Sequence, residues 1–224
     1  MKEFKHKHSI TYTDIRHIWT ALSVICVIAA LSFYFVDGYY NLGEEKYRIY
    51  LRVGGIGTLG WGVLILIHMI LSYSVSDLRA ALKRFDAVRL FIALFIVSGF
   101  ISTLTSSFRY TSLWGEDGWH TGFIVQIFMI GGCLMCMDFF AGADRRLIYC
   151  VILFGAVMSS VVFILGVINR FSIFPFYMYG QVEDFISTLG NINWFCGYWC
   201  IWTGIGCGAF LLSGPGGAVE RAIG

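Results

Sequence analysis

LIYCVILFGAVMSSVVFILGVI, residues 147–168, is 22 residues without a single charge. A bilayer core about 30 Å thick takes about 20 apolar residues in helical form. Two arginines, Arg145 and Arg146, precede the run, and Asn169 and Arg170 follow it. Such a segment reads as a transmembrane helix. Lipid supplies no hydrogen bonds, so a spanning backbone must satisfy its amides within its own segment.

Working outward, five further runs have spanning length. The six expected spans are 18–36, 53–73, 88–104, 122–140, 147–168 and 194–212. The composition agrees. Hydrophobic residues make up 58% of the 224 residues and charged residues 13%, with a mean hydropathy of +0.73. Soluble domains carry roughly 45–50% apolar and 25% charged residues, so lipid is the expected solvent. The fold class read here is all-α: one polytopic helix bundle over 1–212, followed by a short polar tail, 213–224. The first span is flanked by SFYFVDGYY (32–40), bulky and aromatic where a signal-peptide cleavage site requires small residues, so the span is expected to remain as an anchor.

Lys and Arg counts orient the bundle. One alternating set of segments holds eleven: Lys2, Lys5, Lys7, Arg16, Arg79, Lys83, Arg84, Arg89, Arg145, Arg146 and Arg221. The other set holds five: Lys46, Arg48, Arg52, Arg109 and Arg170. Both termini are therefore expected on the cytoplasmic side, with segments 37–52, 105–121 and 169–193 facing outward. The basic residues are accounted for by topology and by contact with anionic membrane lipids. No separate basic domain or recognition motif points to nucleic acid. Segment 74–87, SVSDLRAALKRFDA, reads as a positive-inside loop or as an interfacial amphipathic stretch.

Several polar groups are candidates for chemistry, each beside a plainer reading. Seven cysteines are spread over the predicted spans, with no set of four N/S ligands in reach, so no metal is expected and packing is the favoured role. His68 and Asp138 are intramembrane ionisable residues, which mark function by default. Asp138 falls near a span end, and two such groups make a short relay, so structural roles are favoured for both. Gly54, Thr58 and Gly62, and likewise Gly204 and Gly208, are spaced four apart, as in close helix packing. Arg109, Glu116, Asp117 and His120 fall within twelve residues, with Arg52 and Arg170 at outer span ends. Arginine binds phosphate through paired, charge-assisted bonds, so these residues read either as a lipid-phosphate site or as solvated loop charges. Asn191 and Asn193, just before the last span, read as helix caps or as part of an anion site at a helix start.

Two segments together carry a resemblance. SGFISTLTSSFRYTSLWGEDGWHTGF (98–123) and STLGNINWFCGYW (187–199) resemble elements of the O-antigen ligase and O-antigen polymerase family, in the family's order and separated by two spans. The matching residues are Leu113, Trp114, Gly115, Gly118, Trp119 and Gly122 in the first, and Gly190, Asn191, Asn193 and Tyr198 in the second. The resemblance implies an all-helical, metal-independent inverting glycosyltransferase of the bacterial cytoplasmic membrane that needs no cofactor. Its donor would be an undecaprenyl-diphosphate-linked glycan, and its acceptor a further glycan or a lipid. Arg109, His120, Asn191, Asn193, Arg52 and Arg170 would serve the donor side. Gln181, Glu183 and Asp184 stand where many members carry an Arg. The family's large outer loop, with its functional Arg and His residues, would follow the last span seen here. The chain thus corresponds to the first half of a typical member and is expected to be inactive alone. The tail SGPGGAVERAIG fits a natural short terminus or a truncation or frameshift. Two rival readings stand beside it: a small multi-span transporter or channel-like subunit, and a non-catalytic assembly protein.

The orientation has a direct check. In a background without the seven native cysteines, a cysteine at position 112 should react with an impermeant thiol reagent from outside. A cysteine at position 76 should react only after the membrane is opened. The reverse pattern inverts the topology.

Overall fold

The computed structural model describes residues 11–34, 42–72, 87–116, 120–171, 187–189 and 192–213, with the side chains of the last helix from 195 to 208. Every regular element among the described residues is helical. They are α1 (Tyr12–Phe33), α2 (Leu42–Ser72), α3 (Ala87–Thr105), the single-turn α4 (Arg109–Trp114), α5 (Phe123–Gly142), α6 (Arg145–Arg170), a 3-10 turn (Ser187–Leu189) and α7 (Ile192–Ser213). Among the described residues five helices, α1, α2, α3, α5 and α6, are long and apolar enough to cross a membrane. The sixth apolar run forms α7.

Helix boundaries depart from the hydropathy boundaries where polar residues support helix. α1 starts six residues before the expected 18, because Thr11 and Asp14 form a capping box. The Asp14 amide donates to Thr11 Oγ1 at 3.3 Å, and the Thr11 amide donates to Asp14 Oδ2 at 2.8 Å. α2 corrects the expectation of a loop over 37–52, since it is already helical from Leu42. Glu44 and Glu45 occupy its first turn, where the helix dipole favours acids, and both pair with Arg48 at 2.9 and 3.3 Å. Charge ends the lipid-facing stretch there without ending the helix. At 31 residues, α2 is about 46 Å long at 1.5 Å per residue, well beyond a core of about 30 Å. Its exposed apolar stripe, Ile56, Leu59, Val63, Leu66 and Ile70, leaves the first two to three turns outside that belt.

α1 and α2 run antiparallel in intimate contact. Trp19 Nε1 donates to the Gly57 carbonyl at 2.9 Å, and the indole lies on Gly60, where a Cβ would stand 2.4 Å from the ring. Lys46 Nζ donates to the Leu31 carbonyl at 2.5 Å, satisfying a carbonyl in the last turn of α1. The expected four-spaced set does not form this face. Gly54 faces its own Tyr50, Thr58 meets Gly131 on α5, and Gly62 has nothing within 4 Å. Gly57 and Gly60, three apart and so neighbours on one face of the helix, hold the contact instead. Gly204 and Gly208 on α7 also have nothing within 4 Å.

α5 runs alongside α2, and the three helices α1, α2 and α5 meet at Asp138. Arg16 Nη2 donates to Asp138 Oδ1 at 2.9 Å, and Trp61 Nε1 donates to Oδ2 at 3.2 Å. Arg16 Nε stands 2.8 Å from Oδ2 but off the line of a hydrogen bond, so that contact is electrostatic. His17 beside it is 3% exposed, edge-on to Phe139, and its Nε2 has no hydrogen-bond partner among the described residues. α6 packs on α1 through the cluster of Ala21, Phe139 and Val151. α7 packs antiparallel on α6, with Trp202 over Gly155.

Removing one partner of the Arg16–Asp138 pair strands a charge. Arg16→Ala should lower stability by roughly 2 kcal/mol, the scale of a hydrogen bond to a charged group in this part-buried pair. The swap of Arg16→Asp with Asp138→Arg should recover a good part of that loss. Thermal unfolding in detergent, followed by size-exclusion recovery, reads both. Equal damage from single and double variants would show that the pair contributes nothing as a pair.

Candidate functional site

The end of the bundle where α1 ends and α2 begins is called the rim. There, α3, α4 and α5 meet α2 around an apolar cleft of about 720 Å³. Leu51, Phe100, Leu104, Trp114 and Phe123 are among its walls, and Arg109 is the one charged residue of its lining among the described residues, on a surface that is almost wholly apolar. Arg109 opens α4, is exposed, and has no ion-pair partner among the described residues. Thr103, also in the wall, spends its hydroxyl on the Gly99 carbonyl at 2.8 Å.

The connection from α4 to α5 is made by glycine. Gly115 adopts φ +93° and donates its amide to the Thr111 carbonyl at 2.7 Å. Gly122 precedes α5 and presses on the same turn, so that a Cβ on it would lie 2.3 Å from the Gly115 nitrogen. Two glycines singled out by the sequence pattern thus have a steric reason. His120 also has a positive φ, +46°, and donates its amide to the Glu116 carbonyl at 2.9 Å.

That backbone turns the His120 ring toward α2. Its Nε2 hydrogen-bonds Glu44 Oε2, and the ring stacks on Tyr47, with ring centroids 4.0 Å apart and planes within 8°. Glu44 also takes the Arg48 guanidinium at 2.9 Å. The chain Arg48–Glu44–His120 therefore joins α2 to the segment that leads into α5. Glu44, Tyr47 and Leu51 follow one another at helical spacing on one face of α2, so this polar cluster stands directly beyond the apolar wall.

The remaining expected site residues lie elsewhere. Arg52 belongs to the exposed stripe of α2 one turn from Ile56, around the helix from Leu51, and so faces away from the cleft. Arg170 ends α6 with its guanidinium 6.0 Å from the Phe171 ring, on a helix that packs against α1 and α7. Tyr198 of α7 hydrogen-bonds Ser159 of α6 at 2.9 Å, and Ser187 donates to the Val162 carbonyl at 2.6 Å. The second sequence element is thus a tie between α6, the 3-10 turn and α7. It stands on the opposite flank of the α1–α2 pair from the cleft. Gly118, Trp119, Gly190 and Asn191 lie outside the described residues, as does the Asn193 side chain.

Sequence reasoning missed Glu44 and Tyr47, because both fell in an expected loop. The available signal was the i, i+4 spacing of Glu44 and Arg48 ahead of the second apolar run. Among the described residues no three His, Cys, Asp or Glu side chains gather as a metal site. No family model, no curated protein and no solved structure matches the chain.

Adding one methyl group should separate the two kinds of glycine. Gly122→Ala should cost about 2 kcal/mol, the scale of overpacking against a fixed backbone. Gly62→Ala, in open space, should be neutral by thermal unfolding in the same detergent. A neutral Gly122→Ala would show that the turn repacks freely.

Proposed function

We propose that this chain is the donor-binding portion of an O-antigen ligase or polymerase-like transferase in a bacterial cytoplasmic membrane. It would have six spans, both termini in the cytoplasm and the rim outside. The observation that carries the reading is the apolar cleft with Arg109, which has no ion-pair partner among the described residues, on its lining. An apolar slot beside a guanidinium suits a ligand with a hydrocarbon chain and a phosphate head. It is built largely by segment 98–123, which also bears the first half of the family resemblance. An activated diphosphate donor needs to be held and aligned, which is positioning work. No residue here is assigned a bond-making step; those belong to the family's outer loop.

A second reading draws on α7. Gly197, Gly204, Gly206 and Gly208 have no described residue within 4 Å, which suits a face for further helices in a non-catalytic assembly protein. A channel-like subunit has less support, since the charged groups described inside the spans are tied to one another.

Binding of undecaprenyl diphosphate to the purified chain in nanodiscs separates these readings. Arg109→Ala should weaken it about tenfold, the loss expected for one charge-assisted contact. Arg52→Ala and Arg170→Ala should leave it within about twofold. No binding by the parent chain, or equal loss from all three variants, would remove the donor reading.

A further inference from the structure

At the end of the bundle away from the rim, where α1 begins and α5 ends, one buried polar ring has no part in the cleft. His17 is 3% exposed, and its Nε2 has no hydrogen-bond partner among the described residues. The ring stands edge-on to Phe139 of α5, with centroids 6.2 Å apart and planes at 82°. A Cβ on Gly142, the last residue of α5, would lie 3.2 Å from His17 Cε1 and 3.3 Å from Nε2. One turn along α1, Ala21 joins Phe139 and Val151 in the cluster that seats α1 on α5 and α6. His17 therefore closes the end of that cluster. A leucine or phenylalanine would fill the same space without leaving a buried polar atom unmatched, and an unmatched atom calls for a reason.

The surroundings suit one protonation state. The charges that act on His17 are Asp14 and Arg16 on its own helix and Asp138 on α5, while α2 and α6 add none among the described residues. Both carboxylates are already engaged, Asp138 by Arg16 and Trp61 and Asp14 by its capping box with Thr11. A proton on Nε2 would be a buried donor without an acceptor, and would set a second cation beside Arg16. Water is close at hand, since the Arg16 and Asp138 side chains are 17% and 27% exposed.

We propose that His17 is a proton-operated release for α1. Neutral, it seals the start of α1 onto α5 and α6. Protonated, it drives that end of α1 off Phe139 and Gly142 and slackens the Arg16–Asp138 tie. Imidazole is the side chain whose ordinary titration falls in the physiological range, and buried histidines can bias a packed interface in this way. Because Asp138 also holds Trp61 of α2, the loosened end is the one that sets three helices against one another. Opening takes up a proton, so stability falls as the pH falls. The release does not depend on what the cleft binds.

The test is the pH dependence of the thermal midpoint of the full chain in one detergent, from about pH 7.5 to about pH 5.5, across the ordinary imidazole range. Over that range the parent midpoint should fall by about 3 °C more than that of His17→Phe, the worth of one titrating group in a chain of this size. His17→Gln, uncharged throughout, should share the pH dependence of His17→Phe, whatever its own midpoint. In a chain that keeps His17 as its sole histidine, ring-nitrogen NMR should show the imidazole gaining its proton where the midpoint falls. Equal pH dependence in the parent and both variants would show that His17 only packs, and would overturn the release. A ring that keeps one protonation state across the range would overturn it as well, and that measurement stands even if neither His17 variant folds.

Discussion

A carboxylate within a membrane span must find its counter-charge inside the protein, since lipid offers neither hydrogen bonds nor screening. Asp138 finds it on another helix. Its two oxygens take Arg16 from α1 and Trp61 from α2 while its own backbone belongs to α5. One acidic side chain thus fixes the relative height of three helices, α1 running antiparallel to both α2 and α5. Apolar contacts alone would leave that height loosely set, because lipid tails and leucine side chains are nearly equivalent surroundings. The close seating of Trp19 on Gly57 and Gly60 follows from the same register.

With those helices set, the rim needs few interactions of its own. Lys46 ties α2 to the end of α1, and the His120–Glu44 pair ties the start of α5 to α2. The connection between α4 and α5 can then turn tightly, with positive φ at Gly115 and His120, because both of its ends are anchored. The cleft exists because α4 is a single turn laid beside α3 and α5, wide enough to line a wall and too short to fill the space behind it.

The spanning helices were legible from apolar length, because a membrane demands it and little else does. The ends of those helices were not. Hydropathy measures where lipid stops, whereas Thr11 with Asp14 and Glu44 with Arg48 decide where the helix stops. The glycines at 115 and 122 were visible as a pattern, and the structure supplies their steric reason. Arg109 stood out as a loop charge and does line the cleft, while Arg52, of the same chemistry, points elsewhere. Residue type cannot report which way a helical position faces when the register of its neighbours is unknown. His17 and Trp61 went unnoticed for the same reason: each gains its importance from a partner about 77 to 122 positions away.

α2 has a mechanical consequence. It carries Glu44 and Tyr47 at one end and Trp61 against Asp138 toward the other, in one unbroken helix. Seventeen residues of helix separate Glu44 from Trp61, about 26 Å at 1.5 Å per residue. A helix over that span is a stiff rod, so a tilt imposed at one end displaces the other without any relay of side chains between them. The hydrogen bond between the Trp61 indole and Asp138 therefore sits on the same helix as the rim residues about 26 Å away.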